Sequence, residues 1–183
     1  MTREPKQQGA FDSACGFYAV ANAIGLVKPS AFKPDDFGVL LLALAPRTGL
    51  PKQFFAGTGR NELNRMLTAL LEDERFVGVD LVRPYWNGGA VTLADYWSKL
   101  QHHIGDGDTG RAAIVKFRHE PRKDTSYHHW TVVRKVTDDN LILHDSSDNA
   151  RIARKRSRIW DNLTFHAARP YALDYTATFL LGS

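Results

Sequence analysis

The stretch HWTVVRKVTDDNLILHD, residues 129–145, decides the fold class of this chain. It contains two runs rich in β-branched residues, 129–136 and 140–145, with turn-forming Asp and Asn between them. RAAIVKF (111–117) and LDYTATFLL (173–181) have the same character. The C-terminal half of the chain therefore predicts an antiparallel β-sheet.

Helical patterns precede these strands. Residues 14–26 are predicted to form a helix that Ser13 caps and that Gly25 and Pro29 end. A short helix is expected around the apolar run VLLLALA, residues 39–45, and VDLVRPY (79–85) is predicted to be a short strand.

Two further segments have helical spacing. Residues 59–74 carry a stripe of Leu63, Met66, Leu67 and Leu70, with Thr58 and Gly59 as candidate caps. Residues 92–104 begin with Thr92 and Asp95 at the spacing of a capping box. Because helices come first and the sheet follows, the predicted fold class is α+β.

Composition limits the domain organisation and the compartment. The 183 residues are 43% hydrophobic and 24% charged, which predicts one globular domain over residues 1–183. One cysteine forms no intramolecular disulfide, and the polar start MTREPKQQ lacks the apolar run of a signal peptide. The longest apolar run, residues 37–46, is about half of a membrane span. We expect a cytoplasmic protein; delivery as a secreted effector stays open.

The only cysteine, Cys15, lies in QQGAFDSACGFYAVANA (residues 7–23), at the predicted start of a helix. The free N–H groups and the dipole of a first helical turn favour a thiolate, and they can also receive the oxyanion of an attacked carbonyl. Gly16 leaves the approach to the thiol uncrowded. A lone cysteine is otherwise a small core residue, so a catalytic Cys15 needs a base.

The candidate base lies in SYHHWTVV. Strand alternation places His129 on one face with Thr131 and Val133, and Trp130, Val132 and Val136 on the other. His128 then points away from His129. Asp145, at the end of the next predicted strand, is the candidate that orients the imidazole.

The third residue depends on strand register. If the loop spans residues 135–140, His129 falls opposite Ser146 and Asp145 becomes its diagonal neighbour. A tight turn centred on Asp138 and Asp139 brings Asp148 opposite His129 instead. Asp145 is favoured because it directly ends the apolar strand.

These residues resemble a known family. QGAFDSACGFYAVAN is similar to the nucleophile segment of papain-like cysteine peptidases, and HHWTVV and LILHD resemble their histidine and acid strands. The pattern most resembles the bacterial peptidase C39-like group, which trims double-glycine leader peptides in bacteriocin exporters. The three motifs are spread over residues 7–146 in the family's order of Gln, Cys, His and Asp.

The resemblance implies a papain-like α+β fold and a thiol protease that needs no cofactor and acts on a peptide or protein. Cys15 would be the nucleophile, His129 the base and Asp145 its orienting acid. Gln8 would bind the oxyanion with the Cys15 N–H, and adjacent Gln7 is the alternative. An amidase or acyltransferase, or an idle binding module, would share this arrangement.

Other function classes have weaker signals. Paired histidines at 102/103 and 128/129 do not supply a same-face metal pair, so no metal site is predicted. The basic stretch RIARKRSR (residues 151–158) is interrupted by Ile152 and Ala153, which indicates an exposed strand or hairpin. It raises a nucleic-acid partner as an alternative, without any nucleic-acid module around it to support that partner. The sequence does not indicate an oligomeric state.

Overall fold

A computed structural model describes residues 14–30, 57–107, 110–147, 149–160 and 165–183. Within these ranges the chain forms three α-helices and seven β-strands, which confirms the predicted α+β class. The helices are α1 (Cys15–Val27), α2 (Arg60–Leu71) and α3 (Leu93–Ile104). The strands are β1 (Asp80–Val82), β2 (Arg111–Arg122), β3 (Thr125–Val136), β4 (Asn140–His144), β5 (Arg151–Ala153), β6 (Ser157–Ile159) and β7 (Tyr171–Gly182). The helix expected at residues 39–45 lies outside the described residues.

All seven strands belong to one sheet, in the order β1-β7-β2-β3-β4-β5. Every neighbouring pair along this path is antiparallel, as predicted. The exception is β6, which pairs in parallel with β7 at Tyr171–Leu173, whereas β1 pairs with the opposite end of β7. The prediction of a purely antiparallel sheet is therefore wrong for β6.

The basic stretch forms short strands but no hairpin. β5 pairs with β4 and β6 pairs with β7, and a 3₁₀ turn at Arg154–Arg156 connects them. β5 therefore lies beside β4 at one edge of the sheet, and β6 lies beside β7 towards the other edge. The three residues of the 3₁₀ turn are enough to connect them. The sheet must curl strongly to bring those two strands so close.

Helix α1 begins at Cys15, one residue later than predicted. Ala14 occupies the N-cap position without a side-chain hydrogen bond, and Ser13, the predicted cap, lies outside the described residues. Nearly the whole helix is buried, with Phe17, Val20 and Ile24 at most 1% exposed. Packing of these small and apolar residues, rather than a side-chain cap, holds the helix against the sheet.

The other two helices match their sequence patterns. The stripe of α2, namely Leu63, Met66, Leu67 and Leu70, is buried. Gly59 occupies its N-cap position without a side-chain hydrogen bond, so Thr58 is not the cap. In α3, the Thr92 hydroxyl accepts a hydrogen bond from the Asp95 N–H at 3.1 Å, which confirms the predicted cap.

Two apolar clusters cover the two faces of the sheet. The first contains α1 and α2 with Trp130 and Val132 of β3, and the second contains α3 with Val133 and Val136. The sequence predicted that Val136 lies on the same face of the sheet as Val132, and this prediction is wrong. The pairing of β3 with β4 shifts between Val133 and Lys135, and this bulge changes the face on which the following residues lie.

Gly16 is required by close packing at the start of α1. A Cβ atom at this position would lie 2.6 Å from Thr58 Cβ, far inside contact distance. The Thr58 carbonyl in turn accepts a hydrogen bond of 2.7 Å from the indole of buried Trp130. Gly16 therefore lets α1 approach a segment that is fixed to β3.

We predict that Gly16→Ala lowers the free energy of unfolding by about 1–3 kcal/mol, because the added methyl group overpacks this contact. Chemical denaturation of the purified variant measures the loss. In a double-mutant cycle, Thr58→Gly should remove much of the effect of Gly16→Ala. Fully additive losses would show that the two positions are not in contact.

Candidate active site

His129 and Asp145 form a buried pair between neighbouring strands. His129 lies in β3, and Asp145 follows the last residue of β4. The Nε2 atom of His129 lies 2.9 Å from Asp145 Oδ2 and 3.1 Å from Oδ1. Their side chains are only 7% and 1% exposed, so water contributes little to the solvation of either group. Each must be stabilised by the other and by neighbouring polar atoms.

Both strand registers considered from the sequence are wrong in detail. Val136 pairs with Leu141, as in the tight turn, but the bulge shifts the register so that Val132 pairs with His144. If the same register continues beyond His144, Asp145 lies opposite Thr131. Thr131 is two residues from His129 along β3, so Asp145 and His129 are diagonal neighbours. Asp145 is thus the acid that the structure brings to His129; Asp148 lies outside the described residues.

Cys15 is the first residue of α1, and its thiol lies close enough to the His129 ring to raise the pKa of that imidazole. Since His129 Nε2 faces Asp145, Nδ1 is the ring nitrogen left for the thiol. Cys15 is partly exposed, unlike its two partners. The arrangement places a thiol, an imidazole and a carboxylate in series, with the thiol nearest to solvent.

The charges of this group reinforce one another. Burial disfavours a charged imidazole, but the hydrogen bonds and charges of Asp145 and Cys15 outweigh it and raise the pKa of His129 to about 9. Burial also opposes ionisation of Asp145, yet its hydrogen bond to His129 and the charge of that ring lower its pKa to about 2. At neutral pH, the pair is therefore an imidazolium and a carboxylate.

Ser147 and Asn149 complete the polar environment of Asp145, and neither was predicted from the sequence. The Ser147 hydroxyl and backbone N–H each donate to Asp145 Oδ1 at 2.7 Å. The same hydroxyl oxygen lies 3.2 Å from His129 Nε2, and Asn149 Nδ2 donates to it at 2.9 Å. The signal was present in the sequence, because Asp followed by Ser two residues later is typical of an Asx turn.

Aromatic side chains surround His129 on one side. Its ring packs edge-on against buried Phe117 at a centroid distance of 5.5 Å. Phe117 also contacts Tyr127 and Tyr171, at 6.4 and 5.8 Å. The neighbouring His128 is exposed and packs on Trp160 instead, so the predicted opposite orientation of the two histidines is confirmed.

Gln7 and Gln8, the candidate oxyanion residues, lie outside the described residues. His102 and His103 end α3, and the His103 ring contacts the Leu181 carbonyl at 2.9 Å. Among the residues that the structure describes, no three His, Cys, Asp or Glu side chains are grouped to hold a metal ion. No helix in the described ranges is long and apolar enough to span a membrane.

The arrangement is chemically suited to nucleophilic attack by a thiol. An imidazole lies near a thiol, and a carboxylate orients the imidazole. An activated nucleophile generally requires such a base beside it and a third group that orients the base. In comparisons with known proteins, the chain matches no family model and no curated protein.

The pair makes a pH-dependent contribution to stability. The raised pKa of His129 stabilises the folded state below about pH 6.5, and this contribution is lost as the pH rises through about 9. The lowered pKa of Asp145 stabilises it above about pH 3.8, and this contribution is lost as the pH falls through about 2. We predict that Asp145→Asn loses most stability relative to the native protein between these limits, at about pH 4 to 6.5.

Urea denaturation of both proteins at a series of pH values measures this difference. The difference in the free energy of unfolding between the two proteins should decrease steadily towards pH 10, where the His129 ring is neutral. A difference that stays constant from about pH 5 to pH 10 would mean that His129 carries no charge in the folded protein.

We predict that Ser147→Ala shifts acid unfolding to a higher pH. Loss of the hydroxyl removes a hydrogen bond that lowers the pKa of Asp145. A hydrogen bond to a charged group contributes about 1.5–3 kcal/mol. Circular dichroism during an acid titration gives the midpoint. The exposed Ser98→Ala is the matched control, and an equal shift in both variants would refute the role assigned to Ser147.

Proposed function

We propose that this protein is a thiol-dependent hydrolase, a cysteine peptidase that cleaves an amide or isopeptide bond with Cys15, His129 and Asp145. The observation that carries the proposal is the position of the His129 ring, which Asp145 holds through Nε2 and which lies close enough to the Cys15 thiol for that thiol to raise the pKa of the imidazole. A purely structural cysteine has no need of an oriented, charged imidazole beside it.

The first step follows from this order of groups. The Cys15 thiolate attacks the carbonyl carbon of the substrate, and the electron pair of the C=O bond moves to oxygen. The backbone N–H of Cys15, at the start of α1, would stabilise that oxyanion. Gln8, or Gln7, would add a side-chain donor, as the family resemblance implies.

Collapse of the tetrahedral intermediate expels the amine. The His129 imidazolium donates its Nδ1 proton to the leaving nitrogen, and a thioester to Cys15 remains. His129, now neutral, takes a proton from the incoming water, whose oxygen attacks the thioester carbonyl. The second tetrahedral intermediate breaks its C–S bond, which releases the carboxylic acid and returns Cys15 as the thiolate beside the imidazolium. Asp145 keeps Nε2 protonated and the ring oriented throughout.

The architecture supports the same proposal. A helix that begins at the candidate nucleophile packs on an antiparallel sheet that carries the base and the acid on neighbouring strands. The chain order Cys, His, Asp and this placement of the elements are those that the resemblance to papain-like, C39-like peptidases implies. An acyltransferase or amidase would use the same thioester, and it would differ in the acceptor or the substrate.

We predict that iodoacetamide labels Cys15 rapidly at pH 6, where an ordinary thiol with a pKa of about 8.5 is almost fully protonated. His129→Ala should abolish this rapid labelling, because the cation that stabilises the thiolate is gone. Intact-mass spectrometry follows the reaction, and the chain has no second thiol to interfere.

His128→Ala is the matched control, since this exposed histidine packs on Trp160 and should leave the labelling rate unchanged. Slow labelling of the native protein and of every variant at pH 6 would identify Cys15 as an inert thiol and favour an idle binding module.

Hydrolysis itself is tested with a peptide library and mass spectrometry of the products. His129→Ala should lower the rate by about 10²–10⁴. Asp145→Asn should also lower it strongly, whereas Asp148→Asn should have little effect. Loss of activity in Asp148→Asn, with activity retained in Asp145→Asn, would overturn the assignment of the acid.

A further inference from the structure

The basic stretch, residues 151–158, contains cations of two kinds. Arg158 is mostly buried and pairs with Glu120 at 2.6 Å, and Arg154 lies over the Trp97 ring at 5.6 Å. Both therefore have roles within the fold. Arg151, Lys155 and Arg156 are exposed, and within the described residues none of them forms an ion pair.

These three cations line one cleft, which we call the basic cleft. It has a volume of about 470 Å³, and the other described residues that line it are Asp139, Asn140, Ala153 and Tyr171. Asp139 is the only acid among them, so cations outnumber it three to one. Unpaired cations that converge on a concave surface raise the local concentration of anionic ligands.

The basic cleft lies near the candidate active site. Tyr171 borders the cleft and packs against Phe117 at 5.8 Å, and the His129 ring packs against the same Phe117 at 5.5 Å. Arg156 lies over the Tyr171 ring at 5.8 Å. One buried aromatic ring thus separates the boundary of the cleft from the imidazole, a distance that a few residues of extended peptide can cover.

We propose that the basic cleft binds an acidic segment of the peptide substrate, a few residues from the bond that is cleaved. This inference rests on the proposed function, because it assigns the cleft to the substrate of Cys15. The Asp and Glu carboxylates of the substrate would pair with the Arg151, Lys155 and Arg156 side chains, and Asp139 would disfavour a badly placed carboxylate.

A peptide fits these observations better than a nucleic acid. Among the described residues that line the cleft, Tyr171 is the only aromatic one, and Arg156 already covers its ring. These residues therefore offer no row of rings to successive bases. A peptide, in contrast, needs only a few carboxylate contacts beside the site of cleavage.

The first arm of the test measures binding without turnover. In the full-length Cys15→Ala variant, fluorescence anisotropy compares labelled hexaglutamate with labelled hexaglutamine at low and at physiological salt. Hexaglutamate should bind more tightly than hexaglutamine. When Arg151→Gln, Lys155→Gln and Arg156→Gln are added to the Cys15→Ala variant, the affinity for hexaglutamate should fall by about tenfold. The matched control removes three exposed cations outside the cleft, through Arg122→Gln, Lys135→Gln and Arg169→Gln.

Equal losses in the two triple variants would overturn the inference, because the binding would then reflect net charge alone. Tighter binding of a single-stranded oligonucleotide of equal charge than of hexaglutamate would overturn it in favour of a nucleic acid. Both outcomes are independent of catalysis.

The second arm compares cleavage of a peptide library by the native protein and by the triple cleft variant. Cleaved peptides should carry Asp or Glu at a fixed distance from the cleaved bond, and the triple variant should lose this preference while it still cleaves. Absence of any Cys15-dependent cleavage would contradict the proposed function. Cleavage without an acidic preference would contradict only the inference about the cleft.

Discussion

The buried contact between His129 and Asp145 is the interaction on which the site depends. Both side chains are almost completely removed from water, and an unpaired charge in such a place is costly. Ser147 and Asn149 donate hydrogen bonds to the carboxylate, and the nearby Cys15 thiol raises the pKa of the imidazole. The end of β4, the interior of β3 and the start of α1 are thereby fixed relative to one another.

Much of the architecture was predictable because its signals are local. The apolar stripe of α2 and the cap of α3 depend only on residues three or four positions apart. The four longer strands were recognisable from β-branched and aromatic runs, and α1 was placed to within one residue. The pairing of His129 with Asp145 was reached because an acid directly ended an apolar strand.

The features that the sequence did not predict depend on contacts between distant residues. A one-residue bulge between Val133 and Lys135 sets the register that brings Asp145 to His129, and it moves Val136 to the other face. The parallel pairing of the three-residue β6 follows from the curvature of the whole sheet. Gly16 is a further case, because the Thr58 contact that requires it spans more than forty residues of chain.

The most direct test of the central claim is an NMR titration of the His129 ring in the native protein and in Cys15→Ser. Cys15 and Asp145 together keep the imidazole charged up to about pH 9. We expect a midpoint near that value in the native protein and a clearly lower one in Cys15→Ser, because serine stays neutral. A native midpoint near 6.5, or the same midpoint in both proteins, would show that no thiolate–imidazolium pair forms.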